Sequence, residues 1–259
     1  MRYSLYLLLL NLGLLCGMLL LFVAGRRIGA RDLARDPEGP RTGFGALEAS
    51  VLALLGLVLA FTIAGAGARF DRRRAEIVDE ANAIGTAYLR LALLPPAAQP
   101  ALKAAFGRYL DTRLAVYRNI PDLAAVQREL ASGNAQQEEI WRLAVAAVRA
   151  DDAPPSAAML LLPALNAMFD IAATRAMSPR IHTPLGIFVV LFVLALVGAL
   201  LSGYGMAGGR SGSWLHIVCF VLVVVATISV ILDLEFPRLG LVRIEVFDQT
   251  LADLRQKMP

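Results

Sequence analysis

The chain holds 259 residues, 58% of them hydrophobic, with a mean hydropathy of +0.62 and a net charge of +4. A soluble globular domain is nearer half apolar, and here the excess lies in long runs, which excludes a simple soluble globule and reads as a membrane protein. So mild a charge argues against a nucleic-acid binder, and Cys16 and Cys219, both inside apolar runs, exclude a disulfide framework.

Residues 4–24 carry no charge and are rich in Leu. The run is too long for the core of a signal peptide, and Arg26 and Arg27 follow it directly, so it reads as a first transmembrane helix. Asn11, near its middle, is expected to bond to a neighbouring helix, since an amide in lipid needs a partner. Residues 26–41, with Pro37, Gly39 and Pro40, read as a polar loop.

Residues 49–94 then form the stretch around which the chain is arranged. About twenty uncharged residues pass without a proline into a charged sequence that ends at Pro95. One helix over this range would reach roughly 65 Å, starting in a bilayer and ending outside it. Gly56, Ala60, Ala64 and Ala68 recur every four positions, a stripe that allows close helix packing within the subunit or against another copy. Leu57, Phe61, Ala64 and Ala68 share a neighbouring face through 4, 3, 4 spacing. Around a symmetry axis, Leu57 and Phe61, with Ala64 beyond them, would form the apolar neck of a pore; a subunit core has the same periodicity. Arg69, Arg72, Arg73 and Arg74 mark the exit from the bilayer, as a basic anchor and as a vestibule that would concentrate anions.

Between 71 and 180 the chain has 13 Lys plus Arg against 12 Asp plus Glu, a balanced, water-exposed helical region. Ile77, Ala81, Ile84, Tyr88 and Leu91 form one amphipathic stripe, and Phe106, Leu110, Leu114 and Tyr117 another. Separate helices are expected over 121–131, closed by Gly133, over 136–149 around Trp141, and over 157–176. The polar residues Glu80, Asn82, Thr86 and Arg90, with Asn166 and Asp170, are candidates for a buried polar network or a ligand site. Residues 187–202 and 216–232 are the last apolar runs, separated by a Gly-rich turn. The second is β-branched, but in lipid a segment of that length satisfies its backbone as a helix.

The expected layout is all-α. Residues 1–70 hold two transmembrane helices (about 4–24 and 49–69), 71–180 a helical water-exposed region, 181–235 two further spans (about 185–204 and 213–232), and 236–259 a peripheral tail. Four spans put both termini and the helical region on one side. Near the membrane that side carries nine Arg against six on the other, which favours a cytoplasmic helical region in a bacterial inner membrane. No G-x-S-x-G, H-E-x-x-H, phosphate loop or dinucleotide fingerprint is present, and His182 and His216 stand apart, so neither an enzyme, a cofactor nor a metal site is expected.

Three ordered motifs, EANAIGTAYLRLALLP from Glu80, LNAMFDIAATR from Leu165 and DLEFPRLG from Asp233, resemble the bestrophin-like family of bacterial and plant membrane proteins, and more distantly the bestrophins. Leu54-Leu55-Gly56-Leu57 resembles the opening of the bestrophin pore helix, and Phe70-Asp71-Arg72 the triplet that follows it. The resemblance implies a homopentameric ion channel with Leu57 and Phe61 at the neck; the arginine cluster at the bilayer exit favours anions, chloride before cations. A third neck position would fall near Ala64 or Gly65, where this chain is one residue short. Arg73 and Arg74 replace a Trp pair. Asp233 and Glu235 match acidic positions after the last span but are too few for a calcium site. The implied partners are membrane lipid, further copies of the chain and inorganic ions. The rival expectation is a non-conducting scaffold or sensor whose helical region binds a partner or small ligand.

Overall fold

The computed structural model describes residues 2–36, 44–120, 122–208, 214–237, 242 and 244–258. Among the described residues eight α-helices follow in order: α1 Arg2–Arg35, α2 Phe44–Arg90, α3 Gln99–Arg118, α4 Leu123–Val148, α5 Pro155–Met177, α6 Leu185–Gly205, α7 Trp214–Glu235 and α8 Glu245–Gln256. No strand occurs among the described residues. Four stretches, containing α1, α2, α6 and α7, are long and apolar enough to cross a membrane, so this is an all-α, multi-pass integral membrane protein.

Two compact units share the chain. The membrane unit is Met1–Phe70 with His182–Val242; the helical unit is Asp71–Ile181 with Arg243–Pro259. In the membrane unit, Leu14, Met18 and Phe22 of α1 pack with Leu191, Ala195 and Ala199 of α6 and Ile217, Val221 and Ile228 of α7. α2 adds Leu55, with Val58 and Leu59 half-buried beside it. The closest approach is between α1 and α6. A Cβ on Gly203 would strike the carbonyl oxygen of Phe22, and one on Gly25 the carbonyl oxygen of Leu200. A Cβ on Gly29 would come within 2.6 Å of the Tyr204 carbonyl oxygen. Within the unit, close backbone packing at small residues is made by α1 and α6. Gly56, Ala60, Ala64 and Ala68 are exposed.

The helical unit packs around Tyr109, Phe106 and Leu110 of α3, Ile140 and Ala144 of α4, Leu161 and Leu165 of α5, and Ile84 and Leu91 from the far end of α2 and the turn after it. The amphipathic α8 closes it, with Leu251 buried in this core and Arg255 gripping Asp111 of α3 through two hydrogen bonds of 2.8 and 3.1 Å.

Several boundaries differ from the sequence reading. α1 continues through Arg26 and Arg27 to Arg35 in place of the expected loop, because no helix breaker comes before Pro37. Its extension is held by Tyr204, whose hydroxyl donates to Asp32 at 3.1 Å. Pro37, Gly39, Pro40 and Arg41 lie outside the described residues. α2 starts at Phe44 and includes Glu48, which accepts from the Ser202 hydroxyl at 2.7 Å. It tightens into a 3₁₀ turn over Leu91–Leu93, and Leu94 is extended (φ −85°, ψ 157°), as the residue before a proline prefers. The two helices expected over 121–149 are one, α4, capped by Asp122, which accepts from the amides of Ala124 and Ala125. Gly133 does not end it, because it packs beside Thr112 of α3, and tertiary contact outweighs the roughly 1 kcal/mol that a helical glycine costs. Pro121 lies outside the described residues. Asn11 does not make the expected bond: its Oδ1 is buried and unpartnered among the described residues, and nothing in the structure explains it.

The α1–α6 contact makes a direct prediction. Gly203→Leu should lower stability by roughly 3 kcal/mol or more, since overpacking here displaces a backbone. Thermal melting in detergent measures it, against Gly56→Leu on the exposed face, which should melt near the wild-type temperature.

Candidate functional site

The membrane part of α2 has two unlike faces. Leu55, Thr62 and Ala66 are buried, and the Thr62 hydroxyl returns to the Val58 carbonyl at 2.6 Å, so no polar group is left open on that side. The other face exposes Leu57 (53%), Phe61 (72%) and Ala64, beside Gly56, Ala60 and Ala68. Two large apolar side chains thus stand outside the core of their own subunit. Apolar rings of this kind, closed around an axis, can hold water and ions back.

Where the apolar part of α2 ends, Arg69 is bound to Glu235 at the end of α7. Its Nε donates to Oε1 at 3.0 Å and its Nη2 reaches both Oε1 and the Thr183 hydroxyl. The Thr183 hydroxyl also donates to Oε1 at 2.5 Å, and His182 Nδ1 lies 3.4 Å from Oε2. The carboxylate is 1% exposed. A charge so buried persists only when paired, so the acidic position after the last span is here the counter-ion of an arginine.

The other expected vestibule residues divide. Arg73 is buried and donates to the Ile181 carbonyl at 2.9 Å. Arg74 pairs with Asp71 at 3.2 Å and lies 4.4 Å over the Phe247 ring. Arg72 is exposed. Of the four, Arg72 therefore offers its side chain to solvent most fully.

In the helical unit, the centre of charge is Glu80, fully buried on α2. Its Oε1 accepts from Arg113 Nε at 2.5 Å and its Oε2 from Arg175. Arg175 donates also to Asp248 of α8 at 2.6 Å and lies 3.7 Å from the Tyr117 ring centre. Arg113 reaches the Tyr117 hydroxyl at 2.8 Å. Burial alone would pull the Arg113 pKa down, but Tyr117 and Glu80 raise it above the usual guanidinium value. Nearby, burial pushes the Tyr109 phenol up to about 12, although Arg113 opposes the shift.

This network differs from the expected one. Among the described residues, no hydrogen bond joins Glu80 to Asn82, Thr86, Arg90, Asn166 or Asp170. Asn82, Thr86, Asn166 and Asp170 are exposed, and Arg90 donates to the Leu160 carbonyl at 2.5 Å. The i, i+4, i+8 spacing does place Asn82, Thr86 and Arg90 on one face, but Glu80 sits on the opposite, inward side. Arg113 and Asp248 were missed. Arg113 had one sequence signal, its place between Leu110 and Leu114 inside an apolar stripe; Asp248 had none. Among the described residues no group of three His, Cys, Asp or Glu side chains could hold a metal ion.

A family model described as the bestrophin-like domain matches residues 14–246, nearly the whole chain. The chain belongs to the bestrophin-like family. Neither the curated proteins nor the solved structures compared with it gave a match. In this bestrophin-like protein the three motifs of the sequence serve the two buried carboxylates. The first carries Glu80, the second ends on its partner Arg175, and the third contains Glu235.

Two predictions follow from the helical unit. Glu80→Gln leaves two buried guanidinium groups short of charge and should cost roughly 3–5 kcal/mol, whereas exposed Asn82→Ala should stay within about 0.5 kcal/mol; chemical denaturation in detergent compares them. For Tyr109, the folded pKa is raised, so the stability lent by the neutral phenol is present below its ordinary value near 10 and is lost as pH climbs through about 12. Tyr109→Phe should remove about 2–3 kcal/mol of that alkaline loss, read as a flatter dependence of the unfolding midpoint on pH.

Proposed function

We propose that this bestrophin-like protein is a homo-oligomeric ion channel, a homopentamer by family resemblance, whose neck is formed by Leu57 and Phe61 of α2, with Ala64 one turn beyond. The observation that carries this reading is the exposed face of α2. Leu57 and Phe61 have no role in their own subunit's core, and the small residues between them leave room for a neighbouring helix. Anions are the preferred ions, and that preference rests on Arg72 and the partly exposed Arg74, since Arg69 and Arg73 are engaged. The termini and the helical unit are placed on the cytoplasmic side, following the excess of arginine there. The protein carries out no chemistry in this reading; it is not an enzyme and uses no cofactor.

The test has two stages. The mass of the purified protein in detergent, corrected for bound detergent, should be near that of five subunits, and a monomer or dimer that persists in nanodiscs would remove the axis on which Phe61 is supposed to meet its copies. In liposomes, Phe61→Ala should then raise halide flux, by about tenfold if the neck is the main barrier to ions. Flux equal to wild type in a protein that otherwise conducts would show that Phe61 is no constriction.

A further inference from the structure

A groove of about 410 Å³ runs along the membrane unit between α2 and the start of α6. Its walls include Val58, Phe61 and Gly65 of α2 and Ile187 and Val190 of α6, and its polar end is formed by Arg69 with Thr183. Arg69 is bound on one side only. Its Nε and Nη2 serve Glu235 and Thr183, whereas Nη1 takes no partner among the described residues. That free nitrogen lies over Gly65, where an added Cβ would come within 3.3 Å of it. The missing side chain at Gly65 therefore keeps a hydrogen-bond donor open to the groove.

The depth of the groove has a natural scale. From Arg69 to Val58 is eleven residues, about 16 Å along a helix, close to half of a hydrocarbon core roughly 30 Å thick. Arg69 stands where the uncharged run of α2 stops, and Thr183 and Pro184 stand just before α6 begins. The donor thus falls at the edge of the bilayer, and the apolar walls reach inward over one leaflet. We infer that this groove is a binding site for one membrane phospholipid. A phosphate oxygen accepts from Arg69 Nη1, and one acyl chain lies between Val58, Gly65, Ile187 and Val190. A phosphate fits this donor better than a second copy of the chain does, because a neighbouring apolar helix face would bury Nη1 without an acceptor. The inference does not require the protein to conduct.

The full-length protein in nanodiscs of mixed phosphatidylcholine and phosphatidylglycerol, doped with a phosphatidylcholine carrying an acyl-chain diazirine, tests this directly. After illumination, mass spectrometry should find adducts concentrated at 58–65 and 186–190. Gly65→Leu should lower them by about tenfold, the loss expected from one good contact, and Ile187→Trp, which narrows the groove without touching α2, should do the same. A diacylglycerol with the same diazirine but no phosphate should label the groove more weakly. Adducts spread evenly onto the exposed Leu222 and Val223 of α7 would mean annular lipid only. Equal labelling by the diacylglycerol would take Arg69 out of the site. Protein-to-protein adducts in the groove would identify its occupant as a second copy. Any of these three results overturns the inference.

Discussion

A guanidinium at the edge of lipid and a carboxylate inside a helical core face the same requirement: neither charge survives burial without a partner. The chain meets this twice. In the membrane unit Glu235 is closed in by Arg69, Thr183 and His182, and in the helical unit Glu80 is held between Arg113 and Arg175. Each pairing joins residues far apart in sequence, so each ties together elements that hydrophobic packing would leave free to slide. α2 takes part in both, with Arg69 in one and Glu80 in the other, and no proline interrupts it from Phe44 to Arg90.

These pairings also decide which charges remain for function. A run of four arginines at a bilayer exit looks like a collar of positive charge. Two of them are committed to structure, Arg69 to Glu235 and Arg73 to the Ile181 carbonyl, and Arg74 is partly engaged by Asp71 and Phe247. The field that an approaching ion would feel is set by what is left over. Arg72 stands foremost in it, and the free edge of Arg69 is turned toward the groove.

The apolar surface is divided in a similar way. α1 and α6 meet backbone to backbone at Gly25 and Gly203, which lets α7 and one face of α2 complete a core. The opposite face of α2 is left with Leu57 and Phe61 exposed, and the groove runs along its flank. In water so much exposed apolar surface would mark an interface. In a membrane it can meet lipid or protein, and the free donor on Arg69 distinguishes the groove from the rest of that face.

The amino-acid sequence by itself determined the four apolar spans, the continuity of α2 and the helical character of 71–180, because length, hydropathy and the absence of proline act locally. It also carried the family, through motifs that hold Glu80, Arg175 and Glu235. It missed the continuation of α1 to Arg35, where no proline comes before Pro37, and the joining of α4 across Gly133, where contact with Thr112 outweighs the cost of a helical glycine. Only the tertiary structure decided which polar residues meet. Helical spacing shows which residues share a face, but not which face turns inward or what waits there. Hence Asn82 and Thr86 face outward while Glu80 pairs with Arg113 and Arg175, more than thirty and ninety positions away. Partners at that distance are chosen by packing, which no periodicity in a single chain records.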